Sequence, residues 1–155
     1  MDDFSISIAY DPAEPVFTIG LAAKKIGVSP ETLRLYEREG LLLPYKTDTG
    51  RRLYSHTDLE WIACIRRQIT IHKLNIAGIR RLLALIPCWE LKPCSKEERK
   101  DCPAFESNYN VCWQLDVTSA KCAEDDCRIC NVYQTAGKVG HLKEIFELSL
   151  KRVTN

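Results

Sequence analysis

Long apolar runs are absent from this chain of 155 residues. No stretch approaches the roughly eighteen consecutive apolar residues that suggest a membrane-spanning helix. Residues 1–15 carry four acidic and no basic side chains, and they lack the basic and apolar regions of a signal peptide. The sequence therefore predicts no membrane attachment, a flexible acidic arm over residues 1–15 and a cytoplasmic protein.

Familiar catalytic patterns are also missing. The chain has no glycine-rich nucleotide loop, no nucleophile paired with a base and no pair of carboxylates set in an apolar segment. His56 and His72 stand alone, so neither is a good candidate for catalysis or metal binding. We therefore predict that the chain is not an enzyme, and an electron carrier or redox enzyme is disfavoured.

The net charge of +1 hides an uneven distribution. Residues 16–83 carry twelve Lys and Arg against six Asp and Glu, a local net charge of +6, whereas residues 84–130 carry six against nine, a local net charge of −3. A basic surplus confined to one segment is typical of a surface that binds nucleic-acid phosphates. It predicts an affinity that depends strongly on salt.

Two short helices are predicted inside this basic segment. Apolar residues recur at steps of three and four over residues 19–26, with Thr18 as the N-cap and Gly27 as the stop. Ser29 and Pro30 then cap and begin a second helix. Two helices joined this tightly predict a helix-turn-helix, whose second helix can enter a major groove about 12 Å wide.

A basic hairpin follows at residues 45–54, with a turn at Asp48 and Gly50 and the neighbouring Arg51 and Arg52 at its tip. Paired arginines beside a recognition helix are typical of a wing on the phosphate backbone. Arg52→Ala is expected to weaken binding to all sequences and to lower the salt slope by about one. The predicted DNA-binding residues are Thr18, Thr32, Arg34, Tyr36, Arg38, Arg51, Arg52 and Tyr54.

The runs IGLAA, GVSPETLRLYEREGLL and GRRLY, with the helix start at Asp58-Leu59, resemble the DNA-binding domain of the mercury-resistance-type (MerR) regulators. The run LNIAGIRRLL resembles the heat-shock-repressor branch, whereas Leu35 departs from the family by replacing an aromatic residue. The resemblance covers residues 16–86. It implies a winged helix-turn-helix that dimerises and binds an inverted repeat in double-stranded promoter DNA, with RNA polymerase as a further partner.

Seven of the eight cysteines fall between Cys88 and Cys130, in the spacing C-x5-C-x7-C-x9-C-x9-C-x4-C-x2-C. In a cytoplasmic protein this density favours a metal or cluster over disulfides, because thiols stay reduced there. The segment has few aliphatic residues, so thiolate coordination would supply stabilisation that apolar burial does not. The predicted ligands are Cys88, Cys94, Cys102, Cys112, Cys122, Cys127 and Cys130.

The identity of the metal stays open in the sequence. The last three cysteines have the C-x4-C-x2-C spacing of some iron–sulfur proteins, but C-x2-C also serves zinc. An iron–sulfur cluster that responds to a redox or gas signal is the first expectation. Zinc without sensing and a thiol–disulfide switch are the alternatives. Trp89 and Trp113 each follow a cysteine, where shielding of the site and core packing explain them equally well.

The runs CWELKPC, CPAF, CW and CRICNVY resemble a cysteine-rich module appended to bacterial chemoreceptors and other signalling proteins, although its usual Gly-Thr before the fifth cysteine is absent. The resemblance implies that residues 87–134, the cysteine module, form a sensor. Within residues 135–155, an apolar stripe from Lys138 to Val153 predicts a helix that dimerises the protein or folds back onto its own subunit. The expected fold is mainly α, with a winged helix-turn-helix, a metal-stabilised module and a C-terminal helix.

Overall fold

The computed structural model describes residues 9–137, 143–144 and 146–147. Most of the predicted N-terminal arm and of the predicted helix Lys138 to Val153 lies outside the described residues. The elements are β1 (Phe17–Thr18), α1 (Ile19–Ile26), α2 (Pro30–Arg38), β2 (Tyr45–Lys46), β3 (Arg52–Tyr54), α3 (His56–Thr70), α4 (Ile76–Ala84), α5 (Cys88–Leu91), α6 (Lys96–Arg99), α7 (Pro103–Glu106), the 3-10 turns Cys112–Gln114 and Cys127–Ile129, and α8 (Asn131–Ala136). No helix within the described ranges is long and apolar enough to cross a membrane.

Local capping sets the helix boundaries as the sequence predicts. The Thr18 hydroxyl caps α1 by accepting from the Leu21 N–H, and Gly27 ends that helix with a φ of 76°. Such a positive φ carries little steric cost only for glycine. Ser29 caps α2 in the same way as Thr18 caps α1, at 3.1 Å from the Thr32 nitrogen. The predicted helix-turn-helix and its turn are confirmed.

The wing is a hairpin inside a slightly larger sheet. Strand β3 pairs antiparallel with β2 and also with β1, so the three-stranded sheet has the order β1-β3-β2. The pairing of Phe17 with Tyr54 joins the start of α1 to the end of the wing. The sequence predicts the hairpin but not β1, because two residues are too few to show the alternation of a strand.

Helix α3 follows the wing directly and begins with a capping box. The Ser55 hydroxyl accepts from the Asp58 N–H, while the Asp58 carboxylate accepts from the Ser55 N–H at 2.7 Å. Both residues are buried, with 1% and 5% of their surface exposed. The wing and α3 are thus fixed to each other by two reciprocal hydrogen bonds.

One apolar core extends from the helix-turn-helix into the cysteine module. Leu33, Ile62 and Ile79 lie at the centre of the core and are fully buried, and Val111 and Val132 from the module belong to the same cluster. The helices of the module have only four to six residues, and α5 and α8 contribute residues to this cluster. The predicted mainly helical fold with a small β wing is confirmed. Metal stabilisation of the module stays a prediction.

Candidate nucleic-acid interface and cysteine-lined cavity

Helix α2 carries its basic side chains on an exposed face. Arg34 and Arg38 are exposed, and their guanidinium groups lie 3.5 Å and 3.0 Å from the Glu31 carboxylate. The hydrogen bond from Arg38 holds the pKa of Glu31 below its usual value. These solvent-exposed pairs are weak, so phosphates can compete for the same guanidinium groups.

Glu37 ties the wing to α2. Its carboxylate accepts hydrogen bonds from the Arg52 guanidinium and lies 2.8 Å from Lys46 Nζ. Burial alone would raise the pKa of Glu37, but the hydrogen bonds from Arg52 and Lys46 outweigh it and lower the pKa. Both strands of the wing are therefore anchored on the recognition helix, whereas Arg51 is exposed.

The remaining predicted DNA contacts differ in accessibility. Thr18 is exposed and Thr32 is half-buried, with its hydroxyl 2.9 Å from the Ser29 hydroxyl. Tyr36 and Tyr54 are buried, with 3% and 0% of their surface exposed, and burial raises the pKa of Tyr54 to about 12. Burial disfavours direct DNA contact by these two tyrosines, which pack in the core beneath the interface.

The seven cysteines of the module surround one cavity of about 260 Å³. They come from six separate stretches of the chain, including α5, the N-cap of α7 and both 3-10 turns. The cysteines lining the cavity are Cys88, Cys94, Cys102, Cys112, Cys122, Cys127 and Cys130. Cys64 does not line this cavity.

The thiols are close enough to influence one another. Burial, followed by neighbouring thiols, raises the pKa of Cys88 to about 11 and that of Cys112 to about 12. In the part of the chain that the structure describes, no group of three or more His, Cys, Asp or Glu is arranged to hold a single metal ion. Without a metal, Cys88 and Cys112 stay protonated at neutral pH and are poor nucleophiles.

Two tryptophans that each follow a cysteine occupy different sites. Trp113 lines the cavity and meets Tyr133 edge to face at 5.1 Å between ring centroids. Trp89 meets Phe105 at 5.2 Å between ring centroids and does not line the cavity. Shielding of the cysteine site by tryptophan is therefore supported for Trp113, whereas Trp89 has a packing role.

Sequence reasoning misses the contacts that dock the module on the helix-turn-helix. Trp113 and Gln114 donate to main-chain carbonyls at the end of α2, and Arg128 pairs with Asp58 at the start of α3. The paired residues lie 70 to 76 positions apart in the chain. No local pattern signals such contacts, apart from the position of Trp113 beside a cysteine.

Comparison with known proteins locates the similarity in the first half of the chain. The family model described as "MerR HTH family regulatory protein" matches residues 17–86. Heat shock protein HspR of Streptomyces coelicolor is 38% identical over 71 residues, which cover 46% of this chain and 47% of that protein.

Other regulators match over the same length. The HTH-type transcriptional regulator GlnR of Bacillus anthracis is 32% identical over 71 residues, covering 46% of this chain and 54% of GlnR. The regulator MlrA of Escherichia coli is 36% identical over 70 residues, covering 44% of this chain and 28% of MlrA. The chain thus spans about half or less of the length of these curated relatives. Residues 17–86 therefore match the MerR helix-turn-helix family model and form a winged helix-turn-helix.

Proposed function

We propose that the protein is a DNA-binding transcriptional regulator whose activity is set by a metal group in the cysteine-lined cavity. One observation carries this proposal: seven cysteines converge on a cavity that packs directly against a MerR-type domain. The module supplies a site for a signal, and the domain supplies a surface for promoter DNA. Regulation follows if the two influence each other's conformation.

Within this proposal, an iron–sulfur cluster is the preferred metal group. The seven cysteines that line the cavity of about 260 Å³ come from separate segments of its wall. A single zinc ion needs four ligands at about 2.0–2.3 Å from one point, whereas a cluster takes thiolates at several points on its surface. Thiols distributed around a wide wall favour the cluster. Bound in this way, the cluster would supply reversible one-electron chemistry.

Zinc and a thiol–disulfide switch remain as the alternatives. Zinc would hold the module together without sensing a redox signal. A switch would react through the thiols directly, and the raised pKa values of Cys88 and Cys112 disfavour these two as its attacking thiolates.

Anaerobic purification of the full chain tests the metal proposal. We expect a brown protein that absorbs near 400 nm and contains iron and acid-labile sulfide. A colourless protein with stoichiometric zinc would contradict the cluster and support the zinc alternative. A colourless protein without metal would contradict both metal readings.

DNA binding by the full chain is proposed for the face formed by α2 and the wing. Two copies of the chain, joined through the C-terminal segment, would place two such faces on an inverted repeat. Residues 138–153 lie mostly outside the described range, so this dimer rests on the sequence pattern. Light scattering of the chain truncated after Gly137 tests it, because an intact dimer would exclude that role.

The wing arginines give a direct prediction for the interface. Arg51→Ala removes an exposed cation, so we expect weaker binding to DNA selected from a random pool and a salt slope lowered by about one. Arg52→Ala should lower the slope by less, because the Arg52 side chain is already paired with Glu37. Binding measured from low to high salt compares the two variants, and an unchanged slope for Arg51→Ala would contradict the prediction.

A further inference from the structure

The end of the recognition helix is held by the cysteine module. Trp113 Nε1 donates to the Gly40 carbonyl at 2.9 Å, and Gln114 Nε2 donates to the Arg38 carbonyl at 3.0 Å. The last carbonyls of a helix lack partners within the helix and usually need a cap or water. Gln114, 76 positions away in the chain, thus caps the last carbonyl of α2, and Trp113 holds the Gly40 carbonyl just beyond the helix.

The fit between these segments is close. Gly40 has a φ of 74°, and a Cβ atom at this position would overlap the end of the Gln114 side chain. Glycine therefore serves twice here, for the left-handed backbone and for the approach of Gln114. The module reaches the main chain of α2 directly, without intervening side chains.

The same three-residue turn reaches the cavity. Cys112 begins the 3-10 turn that contains Trp113 and Gln114, and both Cys112 and Trp113 line the cysteine cavity. Tyr133 also lines it and accepts a hydrogen bond from the Leu43 N–H at 2.8 Å. A shift of Cys112 on metal binding would thus move the two hydrogen bonds that hold the Arg38 and Gly40 carbonyls at the C-terminal end of α2.

A second contact leads from the cavity to the wing and α3. Arg128 lies between Cys127 and Cys130, and its guanidinium is 3.2 Å from the buried Asp58 carboxylate. The same guanidinium lies 5.7 Å from the centre of the Tyr45 ring in strand β2. Cysteines of the cavity therefore have sequence neighbours in contact with the end of α2, strand β2 and the start of α3.

We propose that Trp113 and Gln114 are positioning residues that transmit the state of the cysteine cavity to the recognition helix of the same subunit. This inference rests on the proposed function, and it places the coupling within one chain. A metal group held by Cys112 would fix the Cys112–Gln114 turn. Through its hydrogen bonds to the Arg38 and Gly40 carbonyls, the turn would then set the orientation of α2. Loss of the metal would release the turn and change that orientation.

The test compares DNA affinity in two states of the full chain. The probe is DNA selected from a random pool by the wild-type protein, and the states are the anaerobically purified, metal-loaded protein and its chelator-stripped form. Trp113→Phe keeps an aromatic side chain but removes the indole N–H donor. Gln114→Glu keeps the size of an exposed side chain but removes its amide donor, so this variant retains the core even if the first is destabilised.

For each variant we expect unchanged metal content and a two-state affinity ratio that falls about two- to ten-fold, the worth of one neutral hydrogen bond. The matched control is Trp89→Phe, which also follows a cysteine but packs against Phe105; it should keep the wild-type ratio. If Trp113 and Gln114 only stabilised the fold, each variant would lose the same factor of DNA affinity in the metal-loaded and the stripped state. The ratio of the two affinities would then be unchanged in both variants, which would overturn the inference. If the wild-type protein itself bound DNA equally in the two states, the proposed sensing function would be overturned as well. The wild-type measurement therefore distinguishes failure of the sensing function from failure of the coupling through Trp113 and Gln114.

Discussion

Cys112→Ala is expected to abolish binding of the metal group. Cys112 lines the cavity, and its pKa reflects burial first and then four neighbouring thiols, Cys88, Cys127, Cys130 and Cys122. Neighbouring thiols also raise the pKa values of Cys88 and Cys127, but each of these two has fewer such neighbours than Cys112. Removing it should therefore leave any cluster without a central ligand. The measurement is metal and sulfide content after anaerobic purification.

Cys64→Ala is the matched control for that variant. Cys64 is partly buried beside the same core but lies outside the cavity, so its substitution should leave the metal content unchanged. Full metal content in Cys112→Ala would contradict the predicted ligand role.

Metal uptake should also depend on pH. The pKa of Cys112 is about 12 without metal, so binding must displace its proton, and uptake should weaken as the pH falls. Reconstitution of the metal-free wild type across a range of pH measures this dependence.

Arg128→Met is expected to cost about 3 kcal/mol of unfolding free energy, because it leaves the buried Asp58 carboxylate without its cation. The Arg128 side chain is 17% exposed and the Asp58 side chain 7%, so solvent replaces little of the lost interaction. Methionine keeps most of the aliphatic volume of arginine, which limits the effect of packing. Urea unfolding of the metal-loaded chain measures the change.

Arg38→Met is the comparison for a solvent-exposed ion pair. Arg38 and Glu31 lie 3.0 Å apart, but their side chains are 58% and 65% exposed. We expect a loss below about 1 kcal/mol. Equal losses in Arg38→Met and Arg128→Met would show that the module is not held on the winged helix by the buried pair.

Local chemistry explains why the helix-turn-helix could be predicted from the sequence. Thr18, Ser29 and Gly27 act within three or four residues of their partners, through caps and a left-handed turn. The hairpin turn at Gly50 is equally local, with a φ of 79°. Each of these residues signals its role by its type and its neighbours. The predicted helix-turn-helix and hairpin of this segment were therefore confirmed, whereas strand β1 was not predicted.

Nonlocal packing explains what the sequence could not predict. Tyr36 and Tyr54 look like exposed contacts on a recognition helix and a wing, but both turn into the core. Arg52 reads as a free wing cation, but it pairs with Glu37 from α2. In each case the decisive partner lies in another element, and a one-dimensional pattern does not reveal it.

Nonlocal contacts of the cysteine module were also not predictable from the sequence. The number and density of cysteines predict a common site, but the spacing alone does not establish that seven thiols from Cys88 to Cys130 meet at one cavity. Still less does it place Trp113 and Gln114 against the end of the recognition helix. Those contacts give the module a route to the DNA-binding surface that the order of the domains does not suggest.

The central claim is that the cysteine cavity controls the DNA-binding surface. Its most direct test is the affinity of the full wild-type chain for selected DNA, measured in the metal-loaded and chelator-stripped states at one salt concentration. We expect the two affinities to differ by about five-fold or more, the lower range of allosteric coupling between sites. Equal affinities in the two states would contradict the account.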